Sequence, residues 1–158
     1  MQENTSWQGK TILICEDSHL VQASLADFYA KLQLKPVKPV GTGSEALLSL
    51  EKAQTDFVSL DIIMPEMQGV ECFGHIIERF PKTRPFFVSC LNQPAIISPY
   101  MAQSLPLWLF LSKPPQEEEA KDLFKKLLSI ENLKEEIDKY RLSLKEKAES
   151  ASTTETTG

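Results

Sequence analysis

The sequence has few of the residues that cross-link small secreted domains or bind transition metals. Its three cysteines, Cys15, Cys72 and Cys90, are scattered and form no Cys-x-x-Cys pair, which argues against a disulfide framework and a zinc site. They lie in apolar surroundings and are expected to be small buried residues in a cytoplasmic protein. His19 and His75 lie far apart on predicted helix surfaces, so no metal pair is expected.

Long apolar runs and dense basic blocks are also absent. No run approaches the length of a membrane span, and the formal net charge of -5 argues against direct nucleic-acid binding. Residues 1–8 are polar, so they predict a flexible lead rather than a signal peptide. A chain of 158 residues with 42% hydrophobic and 25% charged residues suits one soluble globular domain.

Short apolar runs alternate with segments in which apolar residues recur at helical spacing. Such runs are typical of strands buried on both faces of a parallel sheet. The alternation predicts an α/β domain over residues 9–129, a doubly wound five-stranded parallel sheet. Prolines in the second run place that strand at an edge. The predicted strands span 11–15, 34–40, 57–61, 85–90 and 107–111, and the predicted helices follow Ser18, span 45–53 and 70–80, and run from Gln116 onward.

Polar side chains follow four of the predicted strands. Because the carboxyl ends of parallel strands meet at one edge of the sheet, these side chains are expected to lie close together. Three crowded carboxylates raise one another's pKa unless a cation such as Mg²⁺ neutralises them. Together with a lysine and a hydroxyl, they indicate an aspartate that accepts a phosphoryl group. The set is Glu16, Asp17, Asp61, Ser89 and Lys113.

Asp61 is interpreted as the acceptor because Pro65 and Gly69 predict a turn directly after it. The structural alternatives are a turn or capping acid at Asp61, a plain strand-end residue at Ser89 and a surface ion pair at Lys113.

These motifs, in this order, resemble the receiver domain of two-component response regulators, which implies the flavodoxin-like (βα)5 fold. The resemblance covers most of the chain. The matching residues are Glu16-Asp17, Asp61 with Met64-Pro65 and Gly69, Ser89, Lys113-Pro114, and the helix start Gly43-Ser-Glu-Ala-Leu47.

The resemblance implies a role for each site residue. Asp61 would be the phosphoacceptor. Mg²⁺ would be bound by Asp17, Asp61 and the Ile63 carbonyl, and through water by Glu16. Glu16 stands where an aspartate is commoner in the family.

At the other strand ends, Ser89 and Lys113 would contact the phosphoryl group. Ser89 stands where a threonine is commoner, and the Lys113–Pro114 bond is often cis in the family. Phe110 matches the switch aromatic, although a core role is equally compatible with an aromatic in a strand.

Two apolar residues near the predicted acceptor site affect the expected chemistry. Ile63 and Leu91 lie two residues past Asp61 and Ser89. Their apolar side chains cannot form a hydrogen bond to a water that attacks the phosphoryl group, so at most slow autodephosphorylation is expected. A haloacid-dehalogenase-like phosphatase would need an acid at Ile63, so the chain is not expected to be an enzyme.

The stretch 90–108 departs from the family, since Pro94, Pro99 and Pro106 predict a short or irregular fourth helix over 92–106. The apolar residues at its end are compatible with an interface or with burial. They are Leu105, Leu107, Trp108 and Leu109. Further on, the last helix carries apolar residues at spacings of four, three and four, which favour a dimerising coiled coil over 130–148, although packing back on the domain is also open. Residues 149–158 are expected to be disordered. The spaced residues are Leu133, Ile137, Tyr140 and Leu144.

The favoured hypothesis is a signalling switch. It would take a phosphoryl group from a sensor histidine kinase or phosphotransfer protein and homodimerise through the last helix and the fourth-helix/fifth-strand face. No membrane or nucleic-acid partner is expected. The alternative is a constitutive interaction or scaffold module with the same fold that no longer switches. The chain would be a receiver alone or a fragment lacking its effector domain.

Overall fold

A computed structural model describes residues 6–89 and 104–155, with side chains as far as Ala151. All five strands are parallel and lie in the order β2-β1-β3-β4-β5, with helices packed against the sheet. The predicted doubly wound, flavodoxin-like fold is therefore confirmed. The strands are β1 Thr11–Cys15, β2 Lys35–Pro36, β3 Phe57–Leu60, β4 Arg84–Ser89 and β5 Phe110–Ser112. The helices are α1 His19–Lys31, α2 Gly43–Lys52, α3 Gly69–Arg79, α4 Glu117–Ser129 and α5 Leu133–Glu155.

Strand register aligns the carboxyl ends of the strands. Cys15 pairs with Leu60, Leu60 with Phe87, and Phe87 with Phe110, so these four residues form one row across the sheet. All four are buried, as the continuous apolar runs predict. β2 lies at the edge, where its proline is tolerated. β1 and β3 end at this row, so Glu16 and Asp61 leave the sheet next to each other, whereas β4 and β5 continue two residues further, to Ser89 and Ser112.

Helix starts follow local capping chemistry. The Ser18 hydroxyl accepts a hydrogen bond from the Val21 N–H at the start of α1, as its sequence position predicts. At α2 the cap is Thr42, whose hydroxyl accepts from the Glu45 N–H at 3.1 Å. Both caps stabilise the first turns of helices that begin near the carboxyl edge of the sheet.

The fifth strand begins later than predicted. Leu107–Leu109 form a 3-10 turn, because Leu109 N–H donates to the carbonyl of Pro106 at 3.1 Å and so closes a turn before extended structure starts. Leu107 is 73% exposed, whereas Leu109 is fully buried. The prediction of a strand over 107–111 is wrong for its first three residues.

The prediction of one continuous C-terminal helix from Gln116 is also wrong. The helix ends at Ser129 and a new one starts at Leu133. The Arg84 guanidinium donates to the carbonyls of Leu127 at 2.8 Å and Ile130 at 3.1 Å, which places a cation at the negative end of α4. Asn132 then caps α5 by accepting from the Glu135 N–H at 3.1 Å.

The first half of α5 packs back on its own domain. Leu133 and Ile137 are buried, Tyr140 and Leu144 are half-buried, and the helix lies against α3. Arg141 Nε donates to the Ser104 carbonyl at 3.2 Å. The alternative of packing in cis therefore describes the start of the helix better than a free coiled-coil seam. Helical backbone continues through 155, past the predicted start of a disordered tail at 149.

The N-terminal lead joins the core earlier than expected. Trp7 is buried, its Nε1 donates to the Leu32 carbonyl at 2.8 Å, and its ring centroid lies 6.3 Å from that of Phe124. The prediction of a flexible lead over 1–8 is therefore wrong for Trp7, while residues 1–5 lie outside the described chain. Cys90, Leu91 and residues 92–103 of the predicted fourth-helix segment also lie outside it. Every helix in the described ranges is too short or too polar to cross a bilayer.

Candidate functional site

Three carboxylates converge where β1 and β3 end. Glu16 and Asp61 each follow a residue of the aligned row, and Asp17 is the next residue along. Each of the three offers one oxygen, and these oxygens lie within 4.8 Å of one another. Glu16 is buried, Asp61 is half-buried and Asp17 is exposed. Parallel strand ends thus bring together the three acids singled out in the sequence.

Lys113 reaches into this acidic cluster from the end of β5. Its Nζ lies 2.7 Å from Glu16 Oε2 and 3.8 Å from Asp61 Oδ2. The other Glu16 oxygen accepts from the Ser18 N–H at 3.3 Å. The Lys113–Pro114 peptide bond is cis, as the family resemblance implies. A single ammonium group therefore contacts both a buried acid and the predicted acceptor.

The electrostatics of the cluster favour an additional cation. Burial, then the negative charge of Glu16, raise the pKa of Asp61 to about 6, although Lys113 acts in the opposite direction. Asp61 is therefore mainly ionised at neutral pH, but at a cost in free energy. Carboxylate oxygens are the protein ligands that Mg²⁺ prefers, and this donor set fits that ion.

The loop after Asp61 is fixed by the core and by one close backbone contact. Ile62 and Met64 are buried, whereas Ile63, two residues past Asp61, is 52% exposed. Gly69 N–H donates to the Ile62 carbonyl at 2.7 Å. A β-carbon on Gly69 would lie 2.1 Å from the Asp61 carbonyl oxygen, so this position requires glycine. The Asp61 backbone is thereby tied to the first residue of α3.

The remaining predicted site residues lie on the last two strands. Ser89 is the buried last residue of β4 and pairs with Ser112 in the β4–β5 register. Phe110 is buried, and its ring stacks on Phe87 with centroids 4.9 Å apart and an interplanar angle of 17°. This stacking places Phe110 in the core. Its role as a switch remains a prediction, as do the roles of the other site residues.

Gln22 is a buried polar residue of this region that the sequence reasoning missed. Its Nε2 donates to the Glu16 carbonyl at 2.5 Å and to the Val40 carbonyl at 3.3 Å. The available signal was spacing, because Gln22 precedes the buried Leu25 and Tyr29 by three and seven residues on α1. A glutamine on such a stripe needs buried hydrogen-bond partners.

Chemically, the cluster combines a carboxylate that can act as a nucleophile with a nearby positive charge. The Asp61 side chain is 19% exposed, so an incoming group can reach it. Lys113, together with a cation held by the three acids, can neutralise the charge on a phosphoryl group as it transfers. The arrangement therefore suits phosphoryl transfer to Asp61, and the position two residues further along the chain, where a haloacid-dehalogenase-like phosphatase would need an acid, is Ile63.

Comparisons with known proteins identify the family of the chain. A family model for the response regulator receiver domain matches residues 12–137. The uncharacterized transcriptional regulatory protein YhcZ of Bacillus subtilis is 28% identical over 107 residues, 67% of this chain and 50% of that protein. The chain therefore spans half the length of this relative.

Two shorter proteins extend the comparison. The chemotaxis protein CheY of Thermotoga maritima is 28% identical over 89 residues, 56% of this chain and 74% of that protein. The signal receiver domain of an HD domain-containing protein from Pseudomonas fluorescens superposes with a TM-score of 0.65 at 18% identity, covering 86% of this chain and 98% of that one, which shows the shared fold. The family match over most of the sequence, on this fold, means that the chain belongs to the response regulator receiver domain family.

Proposed function

We propose that the protein is a phosphorylation-dependent signalling switch whose acceptor is Asp61. The observation that carries this proposal is the convergence of Glu16, Asp17 and Asp61 within 4.8 Å, with Lys113 Nζ 3.8 Å from Asp61. The phosphoryl donor is a sensor histidine kinase or a histidine-containing phosphotransfer protein. The expected cytoplasmic location stays a prediction.

In the proposed step, an Asp61 carboxylate oxygen attacks phosphorus, the new O–P bond forms, and the P–N bond to the donor imidazole breaks. The imidazole nitrogen then takes a proton from solvent. Lys113 exchanges its contact with Glu16 for a phosphoryl oxygen, and the Ser89 hydroxyl donates to another. Mg²⁺, held by Asp17, Asp61, the Ile63 carbonyl and, through water, Glu16, would neutralise charge on the phosphoryl oxygens.

The proposed output runs through α3 to α5. Gly69 lies against the Asp61 backbone at the start of α3, and α3 contacts α5, whose residues Leu133 and Ile137 are buried. Phosphorylation would shift a two-state equilibrium in which α5 leaves α3. The α5 seam would then be available for homodimerisation. In the unphosphorylated state, the start of this seam packs against the domain of the same chain.

The constitutive scaffold has less support. A module that no longer switches has no need to retain an acceptor, three convergent acids and the lysine beside them. In this proposal the protein is not an enzyme beyond slow loss of its own phosphoryl group.

Incubation with Mg²⁺ and acetyl phosphate tests the proposal, with intact mass and light-scattering molar mass as readouts. Wild type should gain one phosphoryl group, Asp61→Asn should gain none, and the exposed-site control Asp122→Asn should behave as wild type. A rise in molar mass confined to the labelled protein would support the dimer. Absence of labelling, or labelling of Asp61→Asn, would contradict the switch.

A further inference from the structure

We propose that Gln22 is a positioning residue that holds the Glu16–Asp17 acid pair in metal-binding geometry. This inference rests on the proposed function, because it concerns the affinity of the same acidic cluster for Mg²⁺. Gln22 lies on the first turns of α1, one helical turn after the Ser18 cap. Its side chain does not point at the carboxylates but at the backbone that carries them.

The anchor is a closed set of hydrogen bonds around the Glu16 peptide. Glu16 N–H donates to the Val40 carbonyl at 3.0 Å. Gln22 Nε2 donates to the Glu16 carbonyl at 2.5 Å and to the same Val40 carbonyl at 3.3 Å. The N–H of Glu16 is therefore linked to the Val40 carbonyl directly, and the Glu16 carbonyl is linked to it through the Gln22 amide.

The carbonyl that Gln22 holds belongs to the peptide bond between Glu16 and Asp17. Its orientation sets the directions in which both carboxylate side chains leave the backbone. Glu16 points to Lys113 and towards the cluster, while Asp17 contributes its oxygen from the exposed side. Rotation of this peptide would separate the two acids without removing either of them.

The amide orientation of Gln22 is defined by its partners. Because Nε2 faces two carbonyls, Oε1 must be the acceptor of its remaining contact, 3.3 Å from His19 Nδ1. His19 therefore donates from Nδ1. Gln22 as a residue is 7% exposed, so its donors have little access to water as an alternative partner.

A purely structural role for Gln22 makes a different prediction. If the side chain only satisfied a buried carbonyl, its loss would lower stability and leave the metal affinity of the folded protein unchanged. If it positions the acids, the metal affinity falls, while chemistry at saturating metal is preserved because Asp61 and Lys113 are untouched. Residues that orient metal ligands from outside typically change affinity about 10- to 100-fold.

The test compares Gln22→Met, which keeps length but removes both donors, and Gln22→Asn, which keeps the amide but is one methylene shorter. Thr83→Val is the matched control, because Thr83 is also buried and its hydroxyl donates to the Thr55 carbonyl at 2.8 Å, near the start of β4 and away from the acidic cluster. His19→Ala removes the Oε1 partner and keeps the anchor. For each full-length variant, Mg²⁺ affinity by calorimetry, urea unfolding, and the rate of labelling by acetyl phosphate at saturating Mg²⁺ are measured.

The expected result is a Mg²⁺ dissociation constant about tenfold higher for the folded Gln22 variants. The labelling rate at saturating Mg²⁺ should stay within about twofold of wild type, and Thr83→Val and His19→Ala should bind Mg²⁺ like wild type, which marks the effect as local to the Gln22 anchor. Unchanged affinity in the Gln22 variants, equal weakening in Thr83→Val, or failure of both Gln22 variants to fold would overturn the inference. Failure of wild type itself to bind Mg²⁺ would instead overturn the proposed function, and this inference with it.

Discussion

Gly69 lies against the backbone of Asp61 so closely that a β-carbon there would sit 2.1 Å from the Asp61 carbonyl oxygen and 2.9 Å from the Ile62 α-carbon. Both atoms belong to the backbone, so no side-chain rotation can relieve the contact. The Asp61 backbone and the start of α3 are therefore in direct contact, and this close approach requires glycine at position 69.

Gly69→Ala is expected to displace this loop, to lower the free energy of unfolding by about 2–4 kcal/mol and to slow labelling of Asp61. Gly74→Ala is the matched control within α3, because no atom lies within 4 Å of its added carbon. It should raise stability by about 0.5–1 kcal/mol, since alanine favours a helix over glycine. Urea unfolding and labelling rates of both variants check this, and equal behaviour of the two would contradict the close contact.

Asp61→Asn should stabilise the metal-free protein at neutral pH. The pKa of Asp61 is raised from 3.8 to about 6, so the folded state holds the proton more tightly than the unfolded state. The resulting destabilisation is absent well below pH 4, grows as pH rises through about 6, and is complete above it. Because Asp61 is only half-buried, solvent screening reduces this term, and the expected gain is about 1–2 kcal/mol near pH 7.5 and about half of that near pH 5.

Urea unfolding in a chelating buffer at both pH values measures this gain, with the exposed Asp122→Asn as control. Added Mg²⁺ should reduce the difference, because it binds the wild-type cluster more tightly. A destabilised Asp61→Asn protein in chelator would show that the acids do not repel one another in the folded state.

Ile63→Asn should shorten the lifetime of the phosphoryl group. Ile63 is 52% exposed two residues past the acceptor, and a polar side chain there can orient an attacking water. Leu48→Asn, at a residue 55% exposed on α2, is the matched control and should leave the lifetime unchanged. Loss of label is followed after removal of the donor. If Ile63→Asn and wild type lose it at the same rate, Ile63 does not protect the phosphoryl group.

Ile137→Asp should release α5 from α3. Ile137 is fully buried against the domain, whereas Leu142 on the same helix is 57% exposed and Leu142→Asp serves as control. Burying an unpaired carboxylate is costly, so amide hydrogen exchange of α5 should rise in Ile137→Asp and stay low in the control. Equal protection in the two variants would mean that the cis contact does not hold the helix.

The sequence was sufficient for the sheet and the acidic cluster because both follow from local pattern and topology. Apolar runs predict buried parallel strands, and parallel strands place Glu16, Asp17, Asp61 and Lys113 at one edge without further information. The same reasoning predicts Ser18 as a helix cap, since that cap acts within its own turn.

The errors lie where tertiary contacts decide the local structure. The apolar stripe from Leu127 to Leu133 is compatible with one helix, and the break depends on Arg84, distant in sequence, binding the carbonyls at the end of α4. Trp7 lies in a polar lead, yet it is buried because its Nε1 donates to the Leu32 carbonyl and its ring packs against the Phe124 ring. The role of Gln22 could not be predicted for the same reason, because its hydrogen-bond partners, the carbonyls of Glu16 and Val40, come next to it only in the folded protein.

The most direct test of the central claim locates the phosphoryl group chemically. After incubation with Mg²⁺ and acetyl phosphate, borohydride reduces an aspartyl phosphate to homoserine, which peptide mass spectrometry can assign to one residue. Homoserine at position 61 alone, absent without Mg²⁺, is the predicted result. Homoserine at Asp17, or no reduced residue in a protein that remains folded, would contradict Asp61 as the acceptor.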